Sequence, residues 1–182
     1  QLVEAIENSI YGLWHAGAGA QHDVALLARR AIHTGIETES LIAELARHTM
    51  RGVLHGRHDV AGEFRRLTRA ALEGMVRGLQ SAPEFEPEDI FWASGYGATQ
   101  GAIETGGDAA AAAGAAVEAA AELAGEVGLE PRRAAEVAGR GAIHAAEQLS
   151  DSGSAEVERA VSDAQAGHHA GNGPAAPTRR RS

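Results

Sequence analysis

Between Gly106 and Gly128 the only side chains with more apolar bulk than alanine are Val117, Leu123 and Val127. Hydrophobic stabilisation scales with the apolar area removed from water, so a helix this slim gains little from each residue it buries. It holds its place only where other backbones approach it closely, from the same chain or from neighbouring copies. That requirement favours a packing and assembly protein over an enzyme.

Apolar residues recur at helical spacing almost throughout. Leu2, Val3, Ile6, Ile10, Leu13 and Trp14 form a first stripe, which Gly17 and Gly19 end. A second helix starts near Asp23 and shows Val24, Leu27, Ala28, Ala31 and Ile32 on one side. Thr38 can cap a third, with Leu41, Ile42, Leu45, Thr49 and Val53 in line. Asp59 can cap a fourth. There Val60, Phe64, Leu67, Ala71, Met75 and Leu79 line one side, and Arg65, Arg66, Arg69, Glu73 and Arg77 the other. Links of a few residues favour antiparallel neighbours, so residues 1–80 read as an amphipathic antiparallel helical bundle.

Pro83 and Pro87 mark a break among acidic residues, and Pro87 suits the first turn of a new helix. The slim helix is expected from about Gly107 to Val127. Gly128 ends it, Pro131 opens another to about Leu149, and Ser152 or Ser154 caps a last one to about Ala166. Residues 81–166 thus read as an acidic, extended Ala/Gly-rich helical segment. From Gly167 periodicity is lost, and residues 167–182 are expected to be a disordered tail. The expected fold class is all-α, an N-terminal antiparallel bundle followed by Ala/Gly-rich extended helices, assembling as an oligomer.

Short phrases recur: Ala31-Ile32-His33, Ala102-Ile103-Glu104 and Ala142-Ile143-His144, with Glu86-Pro87 and Glu130-Pro131 each ahead of such a segment. Gly101-Ala102-Ile103-Glu104 and Gly141-Ala142-Ile143-His144-Ala145-Ala146-Glu147 are the fullest versions. On these phrases, over roughly residues 50–166, the chain resembles uncharacterised bacterial Ala/Gly-rich helical-repeat proteins. The resemblance implies a helical fold. It implies no activity and carries over no functional residue.

Glycines four apart leave a smooth patch where a second backbone can come close. Because glycine costs about 1 kcal/mol against alanine inside a helix, such pairs call for an offsetting contact. Gly97/Gly101 read as a packing pair, Gly74/Gly78 as packing or helix ends, and Gly52/Gly56 as a helix end at Gly56. With Ala109, Ala113, Ala116 and Ala120, the Gly74/Gly78 and Gly97/Gly101 pairs are the expected helix-packing and oligomer contacts. Glu118, Glu122 and Glu126 also recur every four residues, and like charges so placed repel. A solvated face explains them; a sharper reading sets them against the Arg-rich side of the fourth helix.

The net charge is −9, unevenly spread: residues 1–80 carry nine Arg and nine acids, residues 81–166 four Arg and sixteen acids. So acidic a body argues against nucleic acid as the main partner, because duplex binding rests on neutralising phosphates. The absence of Cys rules out disulfides and thiolate metal sites and fits a reducing compartment. No membrane-spanning stretch or signal peptide is visible, so the expected location is cytoplasmic, with the membrane periphery as an alternative.

Sites for chemistry are thin. His55, His58 and Asp59 straddle a helix end without a second ligand pair, His168-His169 falls in the tail, and no His follows a Glu by three residues, as a di-iron bundle requires. Without Lys there is no Walker sequence, and no Gly-x-Ser-x-Gly elbow occurs. His33/Glu37 and Glu44/His48 suit surface helix pairs. No catalytic residue, metal ligand or cofactor is expected. The aromatics Trp14 (beside Leu13), Phe91, Trp92 and Tyr96 read first as core anchors. They are also candidates for contact with an apolar ligand or a membrane surface. The expected role is a non-catalytic homo-oligomeric scaffold or accessory subunit of a larger complex. The alternative is a carrier or docking module for a lipid or quinone serving a membrane-associated enzyme complex.

Overall fold

The structure, a computed structural model, describes residues 20–37, 42–54, 63–80, 85–150 and 153–170. Among them there is no strand. Seven α-helices follow in order: α1 (Ala20–Glu37), α2 (Ile42–Leu54), α3 (Glu63–Leu79), α4 (Pro87–Glu104), α5 (Ala109–Leu123), α6 (Pro131–Leu149) and α7 (Ser154–Ala170). A 3-10 turn (Ala124–Val127) extends α5. No helix among the described residues is long and apolar enough to cross a membrane.

Helix boundaries follow local chemistry. Asp108 caps α5 by accepting from the Ala111 N–H at 2.8 Å, as an N-cap carboxylate does. Gly128 stops the 3-10 turn in the left-handed conformation, φ 71°, while the Leu129 N–H reaches back to the Ala124 carbonyl. Pro87 and Pro131, 44 residues apart, both sit in the first turn behind an extended Glu. The α7 helix runs through Ala170, past residue 167. Residues 171–182 lie outside the described set.

The helices stack in two rows. Each packs most extensively on the helix two places along: α1 on α3, α3 on α5 and α5 on α7 in one row; α2 on α4 and α4 on α6 in the other. Neighbours within a row run parallel, since contacts advance together along both helices. Ala25 meets Gly74 and Arg29 meets Gly78; Arg47 meets Gly97 and Arg51 meets Gly101. Across the rows α6 and α7 run antiparallel, with Ala135 beside Gln165 and Gly139 beside Val161.

The same device joins α1 to α3, α2 to α4 and α4 to α6. The carbonyls of Ala25, Arg47 and Trp92 each lie against a glycine 49 or 50 residues later: Gly74, Gly97 and Gly141. A Cβ at any of these glycines would run into that carbonyl. Gly101 repeats the contact on the Arg51 carbonyl, and Gly95 on that of Ala138. Gly78 packs on the Ile32 side chain, where an added Cβ would come within 2.9 Å of the Ile32 Cβ. Backbones this close bring Cα–H groups onto carbonyl oxygens, a weak attraction that recurs at helix crossings. The phrases of the sequence are offset from this register. Gly141 matches Gly97 in position after the helix-opening proline, whereas the phrase match pairs it with Gly101, one helical turn away.

One core runs the length of both rows, from Val24 and Ile32 through Phe64, Leu72, Ile90 and Phe91 to Val157 and Val161. The division expected at residue 80 does not interrupt it. The stripe residues Ile42, Leu45, Thr49 and Val53 are buried, as are Phe64, Leu67, Ala71, Met75 and Leu79. The slim α5 lies at the centre, packed against α3, α4, α6 and α7 of its own chain. Ala113, Ala116 and Ala120 have no exposed surface, and Ala109 is half-buried. The neighbours that so little bulk requires are therefore supplied within one molecule, and these three alanines offer no surface to a second copy.

Thr68 and Thr99 are also fully buried, and neither hydroxyl has a hydrogen-bond partner among the described residues. A buried hydroxyl without a partner costs about 1–3 kcal/mol in lost hydration. Thr68→Val and Thr99→Val, which keep the shape, should each raise stability in urea unfolding by about 1 kcal/mol. A loss of stability instead would mean that the hydroxyls are bonded.

Candidate functional site

On α4 the positions Trp92, Tyr96, Gln100 and Glu104 are spaced four apart and form one line along the helix. Trp92 is half-buried and Tyr96 is 7% exposed. Their rings stack with centroids 5.2 Å apart and planes 24° from parallel. His144 of α6 joins from one side, 5.9 Å from Trp92 and 6.0 Å from Tyr96. From the other side Arg47 of α2 sets its guanidinium 5.5 Å from the Tyr96 ring centre, within cation–π range. Three helices of one row thus converge on a ring cluster at the solvent boundary.

Hydrogen bonds fix the cluster. Tyr96 Oη donates to Gln148 Oε1 at 2.8 Å. Gln148 Nε2 lies 3.1 Å from His144 Nε2, and Arg47 Nη2 lies 3.2 Å from His48 Nε2. In each pair the nitrogen facing the histidine is a donor, so both imidazoles accept through Nε2.

Closed ion pairs flank the rings. Arg51 pairs with Glu104, which also accepts from Gln100 Nε2 at 2.8 Å. Arg133 grips Glu88 with two hydrogen bonds of 2.8 Å. The Arg133 hydrogen bonds hold the Glu88 carboxyl below its ordinary range, and the Glu88 carboxylate raises the Arg133 guanidinium in turn.

Of the aromatics expected to touch a ligand or membrane, Phe91 is buried in the core, and its place is structural. Trp92 is half-buried, and Tyr96 is buried with 7% of its surface exposed. Leu13 and Trp14 lie outside the described residues, as do His55 and His58. The sequence did not flag Arg47, His144 or Gln148 as partners of Trp92 and Tyr96. The signal lay in the repeat: Arg47 precedes Tyr96 by 49 residues, and His144 and Gln148 follow Trp92 and Tyr96 by 52.

The other row carries a second charged surface. Beyond its first turn, α5 approaches solvent along one narrow line: Gly114, Glu118 and Glu122. Arg65 of α3 meets Glu118 at 3.0 Å and Glu122 at 3.6 Å, and Arg69 meets Glu122 at 2.8 Å. Glu118 and Glu122 therefore face the Arg-rich side of α3, and the attraction offsets their mutual repulsion. Exposed pairs of this kind contribute about 0–1 kcal/mol each, so they set register more than stability.

Two open grooves accompany these surfaces. One, of about 390 Å³, lies between α6 and α7 over Gly139, walled by Arg133, Glu136, Arg140, Glu158 and Gln165. The other, of about 240 Å³, lies between α1 and α3 and is walled by His22, Arg66, Arg69, Glu73 and Arg77. Charged side chains rim both grooves, with Ile143 and Val161 lining the first and Ala25 and Ala70 the second. Among the described residues no three His, Asp or Glu side chains are grouped to hold a metal ion. No protein-family model, curated protein or solved structure matches the chain, so its function has to be read from its own surfaces.

Proposed function

We propose that the protein is a non-catalytic helical scaffold or accessory subunit of a larger complex, gripping a partner protein through the solvent side of α2, α4 and α6. Stacked rows of parallel helices form an extended surface with side chains at regular intervals, the architecture on which helical-repeat proteins bind their partners. The observation that carries the reading is the Trp92–Tyr96–His144 cluster with Arg47 on its flank. Trp, Tyr and Arg are the residues that dominate binding hot spots. Packing alone does not call for Trp92 and His144 at the boundary with water.

Because α5 is enclosed by its own chain, this reading does not require a second copy. Homo-oligomerisation is a separate matter for sedimentation. The carrier reading, with a lipid or quinone as ligand, draws on the slimness of the helices, but both grooves are open and rimmed by charged side chains.

A photo-crosslinking amino acid in place of His144 tests the scaffold, with the same group in place of Arg159, an exposed residue on α7, as the control. In the native cell a discrete covalent adduct is expected at position 144 and not at 159. Equal labelling at both positions, or an adduct at 159 alone, counts against this surface as the grip.

A further inference from the structure

We infer that Arg47 is the docking point for a carboxylate on the partner, and that the partner segment is an acidic peptide with a large apolar residue beside that carboxylate. The inference rests on the scaffold reading above and names the chemistry of the partner at that surface.

Two of the arginines on this surface are already neutralised. Arg51 has Glu104, and Arg133 has Glu88 in a two-point grip. Arg47, between them in the row, lies over Tyr96 and beside His48, and among the described residues no carboxylate pairs with it. A guanidinium laid on a ring keeps its charge and most of its five N–H donors at its edge, where a carboxylate is received by two parallel bonds. Stacking also restrains the side chain beforehand, which lowers the ordering cost of capture.

The surroundings are rich in donors. The half-buried Trp92 has no hydrogen-bond acceptor for its indole N–H among the described residues. If His144 accepts through Nε2, its proton sits on Nδ1, which points towards Glu147 at 3.9 Å. Of the carboxylates flanking the rings, Glu104 and Glu88 are closed in ion pairs and Glu147 lies on the His144 side. What the patch lacks is an acceptor-bearing anion next to Arg47 and an apolar group against the open side of Trp92. An acidic residue next to a large apolar one supplies both on a short peptide.

The test pans a library of random hexapeptides, displayed on phage, against the full chain. Selected peptides are then measured against the Arg47→Gln and Trp92→Ala variants and against Arg140→Gln as a charge control. Selected sequences should carry Asp or Glu next to a large apolar residue. Loss of one charge-assisted grip corresponds to about a tenfold to hundredfold weaker affinity, expected for Arg47→Gln and not for Arg140→Gln. Both variants should keep the parent unfolding midpoint to within a few degrees, because Arg47 and Arg140 are not core residues.

Selected peptides that lack acidic residues yet lose binding on Trp92→Ala would overturn the carboxylate inference and leave the scaffold surface standing. Peptides that bind Arg47→Gln and Trp92→Ala as well as the parent would overturn both. Self-association of the parent chain that Arg47→Gln abolishes would overturn the inference in favour of a second copy as the occupant.

Discussion

Gly97→Ala and Gly141→Ala should each lower stability by about 2 kcal/mol or more in urea unfolding, although alanine is the better helix former. Two effects compete. Replacing glycine inside a helix gains about 1 kcal/mol in propensity. The added Cβ, however, would strike the Arg47 carbonyl at position 97 and the Trp92 carbonyl at position 141. These are backbone atoms of packed helices, so the obstacle cannot rotate away as a side-chain end would. The helices must separate, and overpacking of this kind typically costs about 1–3 kcal/mol and occasionally more. A contact that would leave the Cβ overlapping a carbonyl belongs at the upper end of that range, so the clash outweighs the propensity gain. The internal control is Gly114→Ala. Its Cβ would meet nothing closer than the Ala160 carbonyl at 4.0 Å, so the propensity gain stands alone and stability should rise by about 1 kcal/mol. If all three variants were stabilised, the rows would not be held by close backbone approach.

Part of this was legible in the sequence. Helical spacing pointed to the buried side of α2 and α3 through Ile42, Leu45, Thr49, Val53, Phe64, Leu67, Ala71, Met75 and Leu79, but not to Met50, Leu54, Leu72 and Val76, which are buried as well. The Gly97/Gly101 pair likewise announced a close contact, since glycine inside a helix requires compensation. Two things were hidden. Alanine is small enough to be buried on any side, so α5 carries no stripe to say which helices surround it or that all of them belong to the same chain. The ring cluster was half visible, as Trp92 and Tyr96 stand four apart on α4. Its other members come from helices about 50 residues away in either direction, a separation that becomes readable only once the row register is known. Glu118 and Glu122 lay between these cases. Their spacing was plain, and the Arg side of α3 was a named candidate, but only packing decides between that and a solvated face.

Ala116→Leu separates the two explanations for so slim a helix. If the small side chains of α5 exist to let helices of the same chain close around it, there is no room for a larger one at position 116, where exposure is zero. Leucine adds three carbons among α3, α4, α6 and α7, and the variant should lose about 3 kcal/mol or more, or fail to fold. The loss should be the same at low and high protein concentration, because a transition that involves one chain does not depend on concentration. If the small residues instead served contact between copies, Ala116→Leu would leave the single chain as stable as its parent and change its sedimentation. Ala109 supplies the comparison on the same helix. It is half-buried at the first turn, so Ala109→Leu can turn its added carbons towards water and should change stability by less than about 1 kcal/mol. A large penalty at 116 and a small one at 109, both independent of concentration, would locate the purpose of the alanines inside the molecule.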